Sequence, residues 1–431
     1  MGTQVGAKAA IDDETPCLRG RAPAVRHRGW DAGGFCEHTF RLIRQLPEMR
    51  LGVAALALVA AVRGSDTTPR QLHLAFADER TMAIGWLTSG GLSVGSRPLV
   101  RYGTQPGRWT ESATGTTNHD STATFLHHHH DVTLRDLRPN TTYYYVAGAE
   151  SSTERSSERS FTTLALPSHD GAFKCSIFGD MGVNKSEPTI ARLGQHPEHA
   201  FIVHVGDVSY ADDLDGGRKY DGGRGYEKLY DRYGDMVEPL ASSKAYFVTP
   251  GNHDVSCHIL SDKDCIAAHR NFTPFNRRWR MPAAASGGSL GSNMWYSWRA
   301  QRTHFASIST ETDYPGAPTT PSTRVAGGRG GGFGDQVAWL DADLRAAHED
   351  PTVDWIVVVG HRPIYESIDD AKDWPVDTVK KCRAVSRPKA DSFLLPISFH
   401  TTSSSISSTG CRCCNLGLSF VPFFLLPSSV F

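Results

Sequence analysis

Neither sign of charge predominates in this chain: 45 Lys and Arg face 46 Asp and Glu, a net charge of −1. A basic footprint for nucleic acid is therefore missing, and no nucleic-acid partner is expected. Also missing is any Gly-x-x-x-x-Gly-Lys-Ser/Thr loop, so a P-loop NTPase is not supported. The apolar stretch at residues 51–62 is too short to cross a bilayer as a helix, and no transmembrane span is expected. Cysteine is sparse and odd in number, nine in all, so at least one cannot pair within the chain. Cys257 and Cys265 read equally as a small disulfide or as two free thiols. Cys411, Cys413 and Cys414 lack the paired spacing of a zinc site.

What is present is ordinary in bulk and particular in pattern. The 431 residues allow two or three domains, and 39% hydrophobic with 21% charged content is that of a globular protein. Four times an apolar β-rich run stops at a glycine and is followed by a metal-ligating side chain. The runs end at Gly179-Asp180, Gly206-Asp207, Gly251-Asn252 and Gly360-His361. Such runs read as buried strands. Ligands of α/β sheets collect beyond the carboxyl ends of strands, where glycine lets the backbone turn sharply and approach closely. One Gly-Asp after a strand is usually a turn; four in series are expected to converge on one spot. Oxygen ligands mixed with imidazole suit Fe, Mn or Zn.

In chain order, residues 1–48 lack periodicity and read as an unstructured, spurious extension. Residues 49–66 read as a secretory signal peptide starting at Met49, with a basic start, an apolar core and small residues at its end. The competing reading is a buried Ala-rich helix. Residues 67–166 alternate in short segments (71–76, 82–88, 99–103, 128–134, 137–146, 160–163) and are expected to form a β-sandwich. His127 to His130 are expected to be a solvated strand entry rather than a metal site. Residues 164–171 read as a linker. The region 172–380 is expected to contain helices at 187–193, 226–240 and 336–348, with Gly-rich loops at 215–225 and 324–334. Its second strand set is expected at 277–282, 293–298 and 303–309. The tail 381–431 is low in complexity and shows no reliable helical or strand period. Asn140, Asn184 and Asn271 open Asn-x-Ser/Thr triplets and are glycosylation candidates if the chain is secreted; each also reads as turn chemistry.

Gly179-Asp180-Met181-Gly182, Gly206-Asp207-Val208-Ser209-Tyr210, Gly251-Asn252-His253-Asp254 and Val358-Val359-Gly360-His361 together resemble the purple acid phosphatases, within the calcineurin-like metallophosphoesterases. The similarity runs from about Pro69 to about Tyr365. It implies an α+β or α/β fold: an N-terminal fibronectin type III-like sandwich, then a two-sheet metallophosphoesterase sandwich flanked by helices. It implies Fe(III) plus a divalent ion (Zn, Mn or Fe), in a site where two metals typically lie ~3.5–4 Å apart. Asp207 would bridge the pair, Asp180 and Tyr210 would serve the ferric ion, and Asn252 and His361 the divalent one. His253 would hold a phosphate oxygen, with Asp254 orienting it, and Asn252 would also take part in substrate binding. The implied activity is hydrolysis of small phosphate monoesters by a secreted enzyme, extracellular or else vacuolar or in the cell wall. The alternatives are an impaired or non-enzymatic extracellular protein of the same fold, and a phosphodiesterase or nucleotide pyrophosphatase of the same family.

One family motif has no counterpart. The resemblance implies a Gly-His-x-His segment after His361, yet the single later histidine is His400. Residues 381–431 are expected to be a gene-model replacement of the family's own C-terminus; the competing reading is a lipid-anchor signal.

Overall fold

The protein is described by a computed structural model over residues 66–118, 127–168, 172–184, 186–213, 224–255, 269–289, 291–315, 317, 331–362 and 423–427. Nearly all of the signal-peptide stretch, Cys257 and Cys265, the Cys411–414 group and most of the expected Gly-rich loops lie outside these residues. No helix among the described residues is long and apolar enough to cross a membrane.

The first eight strands are β1 (Arg70–Ala75), β2 (Met82–Thr88), β3 (Pro98–Gly103), β4 (Glu111–Thr114), β5 (Thr116–Asn118), β6 (His128–Leu134), β7 (Thr142–Ala149) and β8 (Arg159–Thr162). They form two antiparallel groups, β5-β6-β2-β1 and β4-β3-β7-β8. Ile84, Trp86 and Val132 of one group share a buried core with Val100, Tyr145 and Phe161 of the other. This is the β-sandwich that the alternating segments imply.

The histidine run differs from expectation. His129 and His130 are buried, not solvated. His130 is held between Thr88 and Thr117, each 2.9 Å from a ring nitrogen, and His127 Nε2 lies 2.7 Å from Asp231 Oδ2. Both ring nitrogens of His130 thus meet hydroxyls, so polar partners rather than solvent satisfy that ring.

Next come β9 (Lys174–Phe178), α1 (Glu187–Gly194), β10 (His199–Val205), α2 (Arg224–Ala241) and β11 (Ala245–Thr249). Strands β9, β10 and β11 are parallel, as their nearly unbroken apolar character suggests. Leu74 of β1 pairs in parallel with Ala245 of β11, so one seven-stranded sheet, β5-β6-β2-β1-β11-β10-β9, continues past the expected linker.

The second sheet contains β12 (Tyr296–Ala300), β13 (Thr303–Ser307), β14 (Trp355–Val359) and β15 (Phe423–Pro427), in that order. Phe247 of the first sheet stacks on Trp298, 4.2 Å between centroids, and Trp298 stacks on Phe305 at 4.9 Å. That aromatic layer belongs to the main core, which side chains of both sheets share. Helix α3 (Thr273–Arg278) precedes these strands, and α4 (Gln336–Glu349) lies between β13 and β14, capped by Asp335 accepting from Ala338 N.

Two expectations need correction here. Residues 277–282 are not a strand: Arg277 and Arg278 end α3, and Pro282 opens a 3-10 turn. Proline in the first turn of α3 sets a helical φ where a free N–H is not required. The tail also supplies a strand, since β15 pairs antiparallel with β14 from Trp355↔Pro427 to Val359↔Phe423. A short apolar run without alternation is how a strand in a covered sheet reads, and that signal was present in Phe423-Phe-Leu-Leu-Pro427.

Candidate metal centre

Three parallel strands and one strand of the facing sheet deliver the site. Beyond β9 lies Asp180, beyond β10 Asp207, beyond β11 Asn252 and beyond β14 His361. The four-strand convergence read from the sequence holds, except that the strands belong to two sheets.

The turns are unusual. Asp180, Asp207 and Tyr210 all adopt left-handed backbone, with φ of 56°, 52° and 51°. Such conformations cost energy for non-glycine residues and cluster at functional sites. Close approach explains two of the glycines. A Cβ on Gly206 would sit 2.4 Å from the His361 ring, and one on Gly251 would sit 2.3 Å from Asp207 N and Oδ1.

Ligand atoms of Asp180, Asp207 and His361 all lie within 4.8 Å of one another. Tyr210 joins them by donating its hydroxyl to Asp180 Oδ1 at 2.8 Å. Asn252 Oδ1 lies 3.1 Å from His361 Nε2, and Asp207 Oδ2 lies 3.4 Å from the same nitrogen. The structure therefore brings all five expected ligands together.

The electrostatics fit a cation. His361 Nδ1 donates to Val205 O at 3.0 Å, so the ring is oriented by a backbone carbonyl, as metal-bound histidines usually are. Its Nε2 faces oxygens, so both ring nitrogens meet acceptors. Burial presses the His361 pKa down, but the Asp207 carboxylate outweighs it, and the net shift is upward. Conversely, burial raises Asp207, while the positive charge of His361 and His253 draws it well below the usual carboxylate range. Burial, with the charges of Asp207 and Asp180, pushes the Tyr210 phenol far up, so it remains a donor until a cation replaces its proton. Two carboxylates, a phenol, an amide and an imidazole form a hard-to-borderline donor set that suits iron, manganese or zinc.

His253 presents its backbone N–H to Asp207 Oδ1 at 2.8 Å, and its ring packs on Tyr210 at 4.4 Å between centroids. Asp254, expected to orient His253, has a different role. Its Oδ2 accepts from Gly251 N at 2.9 Å and its Oδ1 from Val208 N at 3.2 Å, tying two of the ligand loops together. Burial and the charge of Asp207 push Asp254 up to about 8. The carboxylate at His253 Nδ1 is Asp212, with oxygens at 3.1 and 3.2 Å. Asp212 escaped sequence reasoning, although it lies two residues past Tyr210 in a 3-10 turn, Ala211–Asp213.

A second omission is the Glu311–Arg362 pair. Arg362 Nε and Nη2 meet Glu311 Oε1 and Oε2 at 2.8 and 2.7 Å, and both residues are buried. This fork fixes the turn immediately after His361. The glycosylation candidates stand outside the cluster. Asn140 and Asn184 are exposed. Asn271 is half-buried, and its Nδ2 donates to Gly331 O at 3.1 Å.

Comparison with known proteins agrees with this architecture. A family model described as "Purple acid Phosphatase, N-terminal domain" matches residues 69–163, and one described as "Calcineurin-like phosphoesterase" matches residues 174–391. "Acid phosphatase A" of Cryphonectria parasitica is 30% identical over 379 residues, 76% of this chain and 73% of that protein. "Probable purple acid phosphatase 20" of Arabidopsis thaliana is 32% identical over 305 residues, 70% of this chain. The chain spans 60% of that relative's length. A solved purple acid phosphatase from yellow lupin (Lupinus luteus) seeds superposes with a TM-score of 0.52 at 19% identity, covering 70% of this chain and 52% of that one. At that identity the likeness speaks for the fold alone. Sequence similarity across both the sandwich and the metal-binding region thus makes the chain a member of the purple acid phosphatases, in the calcineurin-like metallophosphoesterase family.

Proposed function

We propose that this chain is a secreted acid phosphatase that hydrolyses small phosphate monoesters at a dinuclear centre of Fe(III) and Zn, Mn or Fe(II). The observation that carries this reading is the convergence of Asp180, Asp207, Tyr210, Asn252 and His361 at four strand ends. Asp207 would bridge the ions, Asp180 and Tyr210 would hold the ferric one, and Asn252 and His361 the divalent one. When bound, such a pair supplies Lewis acidity and lowers the pKa of water.

The chain's own residues do the rest. His253 stands at the edge of the ligand set, its side chain 17% exposed and so accessible to substrate. Asp212 accepts from its Nδ1, which directs Nε2 away from that carboxylate toward the centre. A proton on Nε2 would then be donated to a phosphate oxygen as charge develops there. The Asp254 bonds to Val208 and Gly251 hold the Asp207 and Asn252 loops at fixed separation, which limits reorganisation during the reaction. Secretion is supported by the signal-like stretch from Met49.

One observation favours a second reading, in which the fold is kept but catalysis is impaired: the family's Gly-His-x-His has no counterpart after His361. Metal analysis with activity assays separates the two. Two metals per chain, a visible charge-transfer band and turnover of p-nitrophenyl phosphate above that of bis-p-nitrophenyl phosphate support the phosphatase. A metal-poor chain without turnover supports the second reading. Preference for the diester would move the proposal to the phosphodiesterases.

A further inference from the structure

At the opposite end of β10 from Asp207 lies a separate group of metal-ligating side chains. His196, Pro197 and Glu198 form the turn between α1 and β10, and His199 opens the strand. His196 Nδ1 is 3.3 Å and His199 Nε2 is 3.8 Å from Glu198 Oε1, and ligand atoms of all three lie within 4.8 Å of one another. Bonds of ~2.0–2.2 Å around a tetrahedral ion place neighbouring ligand atoms roughly 3.3–3.6 Å apart, close to the two spacings to Glu198. Counting about 3.3 Å per strand residue, the group stands roughly 25 Å from Asp207.

We propose that His196, Glu198 and His199 form a second transition-metal site, selective for zinc-like divalent ions and independent of the dinuclear centre. Three features make it a built site. His199 Nδ1 lies 2.6 Å from Ser176 Oγ, an arrangement that assigns this nitrogen to the hydroxyl and leaves Nε2 to face Glu198. His199 also sits where the β9 register slips, Lys174 facing His199 and Cys175 facing Phe201. Such a bulge re-aims a side chain at a strand end. The turn itself is fixed, with His199 N bonded to His196 O at 3.2 Å and Lys244 Nζ bonded to Pro197 O and His199 O at 2.6 Å each.

Two features oppose binding, and both can yield. Lys174 Nζ lies 3.7 Å from Glu198 Oε1, but its side chain is 69% exposed and free to leave. The two imidazoles are stacked, 4.7 Å apart and 8° from parallel. At least one ring must rotate about χ2 to aim its lone pair at a shared ion. Their side chains are 31% and 18% exposed, so the rotation has room. Two imidazoles and one carboxylate favour zinc, copper or nickel over magnesium or calcium. Three protein ligands leave a fourth position for water, so the site is of the open kind. Occupation would staple the α1–β10 turn to the start of the central strand.

The test is a Co(II) and Zn(II) titration of the full metal-stripped chain, followed by visible absorption and calorimetry. Wild type is compared with H196A/H199A, Glu198→Gln, Ser176→Ala and Asp207→Asn. H196A/H199A is expected to lose one equivalent, Glu198→Gln to weaken that equivalent at least ~10-fold, and Ser176→Ala to weaken it ~10-fold. Asp207→Asn is expected to retain it. Equal stoichiometry and affinity in wild type and H196A/H199A would overturn the proposal. So would binding of Mg(II) to this equivalent as tightly as Zn(II). If H196A/H199A does not fold, Glu198→Gln decides alone, and unchanged affinity there is fatal.

Discussion

Two clusters of buried ionisable groups stand out among the described residues, and they are built on opposite principles. Between α2, α3 and β6, Arg278 is paired with both Glu227 and Asp231, the second at 2.8 Å. His269 Nε2 lies 3.0 Å from Glu227 Oε1, and His127 Nε2 lies 2.7 Å from Asp231 Oδ2. Each carboxylate thus meets cationic or hydrogen-bonding groups of the chain itself. At the strand ends, by contrast, Asp180, Asp207, Asp212 and Asp254 gather around two histidines. There His361 is driven upward, and Asp254 is held at about 8. A buried cluster that balances its own charge is architecture. One whose described carboxylates outnumber its described histidines suits a cation supplied from outside.

Breaking the balanced cluster should have the largest effect. Replacing Arg278 by Met leaves Glu227 buried without its guanidinium, a loss of about 3–5 kcal/mol in stability. Urea denaturation would register it, and a loss below about 1 kcal/mol would show that the network is not structural. Asp207→Asn should behave in the inverse way. Metal affinity and activity should fall at least ~100-fold, since even outer-shell losses cost ~10–100-fold. The metal-free chain should lose less stability than the Arg278 variant does, because the lost pairing with His361 is partly offset by relief of repulsion with Asp254. A metal-free variant that melts far below wild type would erase the contrast between the clusters.

The sequence disclosed the second cluster far better than the first. Asp180, Asp207, Asn252 and His361 each follow a strand and a glycine, so local grammar marks them. Tyr210 and His253 are legible because they stand within a few residues of those ligands. Asp212 and Asp254 were harder: both are carboxylates beside a ligand, and only three-dimensional placement shows that Asp212, not Asp254, faces His253 Nδ1. The Arg278 network left no local trace, because its partners lie 47 and 51 residues away. The misread strand at 277–282 has the same origin. Arg277 and Arg278 lie on a six-residue helix too short for periodicity to reveal.

Acid should separate the clusters more gently. Burial raises the Asp231 pKa, but the His127 hydrogen bond and Arg278 prevail and bring it down to about 2. Its folded value lies below the unfolded one of ~3.9, so the stabilisation is fully present above about pH 4 and fades as pH falls through about 2. Asp231→Asn should therefore cost about 2 kcal/mol near pH 5, a gap that closes between pH 4 and pH 2. A gap that stayed constant over that window would mean the ionised carboxylate contributes nothing specific.

The smallest effect carries the finest distinction, because it separates two aspartates inside the candidate metal cluster. If Asp212 orients His253, Asp212→Asn keeps the shape but offers Nδ1 an amide that can present either its oxygen or its NH2. The ring then loses its enforced direction, and kcat should fall ~10-fold with little change in KM or metal content. Asp254→Ala should do the reverse. Val208 N and Gly251 N would lose their acceptor, so stability and metal retention should fall by about 1–3 kcal/mol before kcat per bound metal does. If Asp212→Asn instead stripped the metals and Asp254→Ala lowered only kcat, the orienting carboxylate would be Asp254 after all, and the short contact at His253 Nδ1 would be packing rather than function.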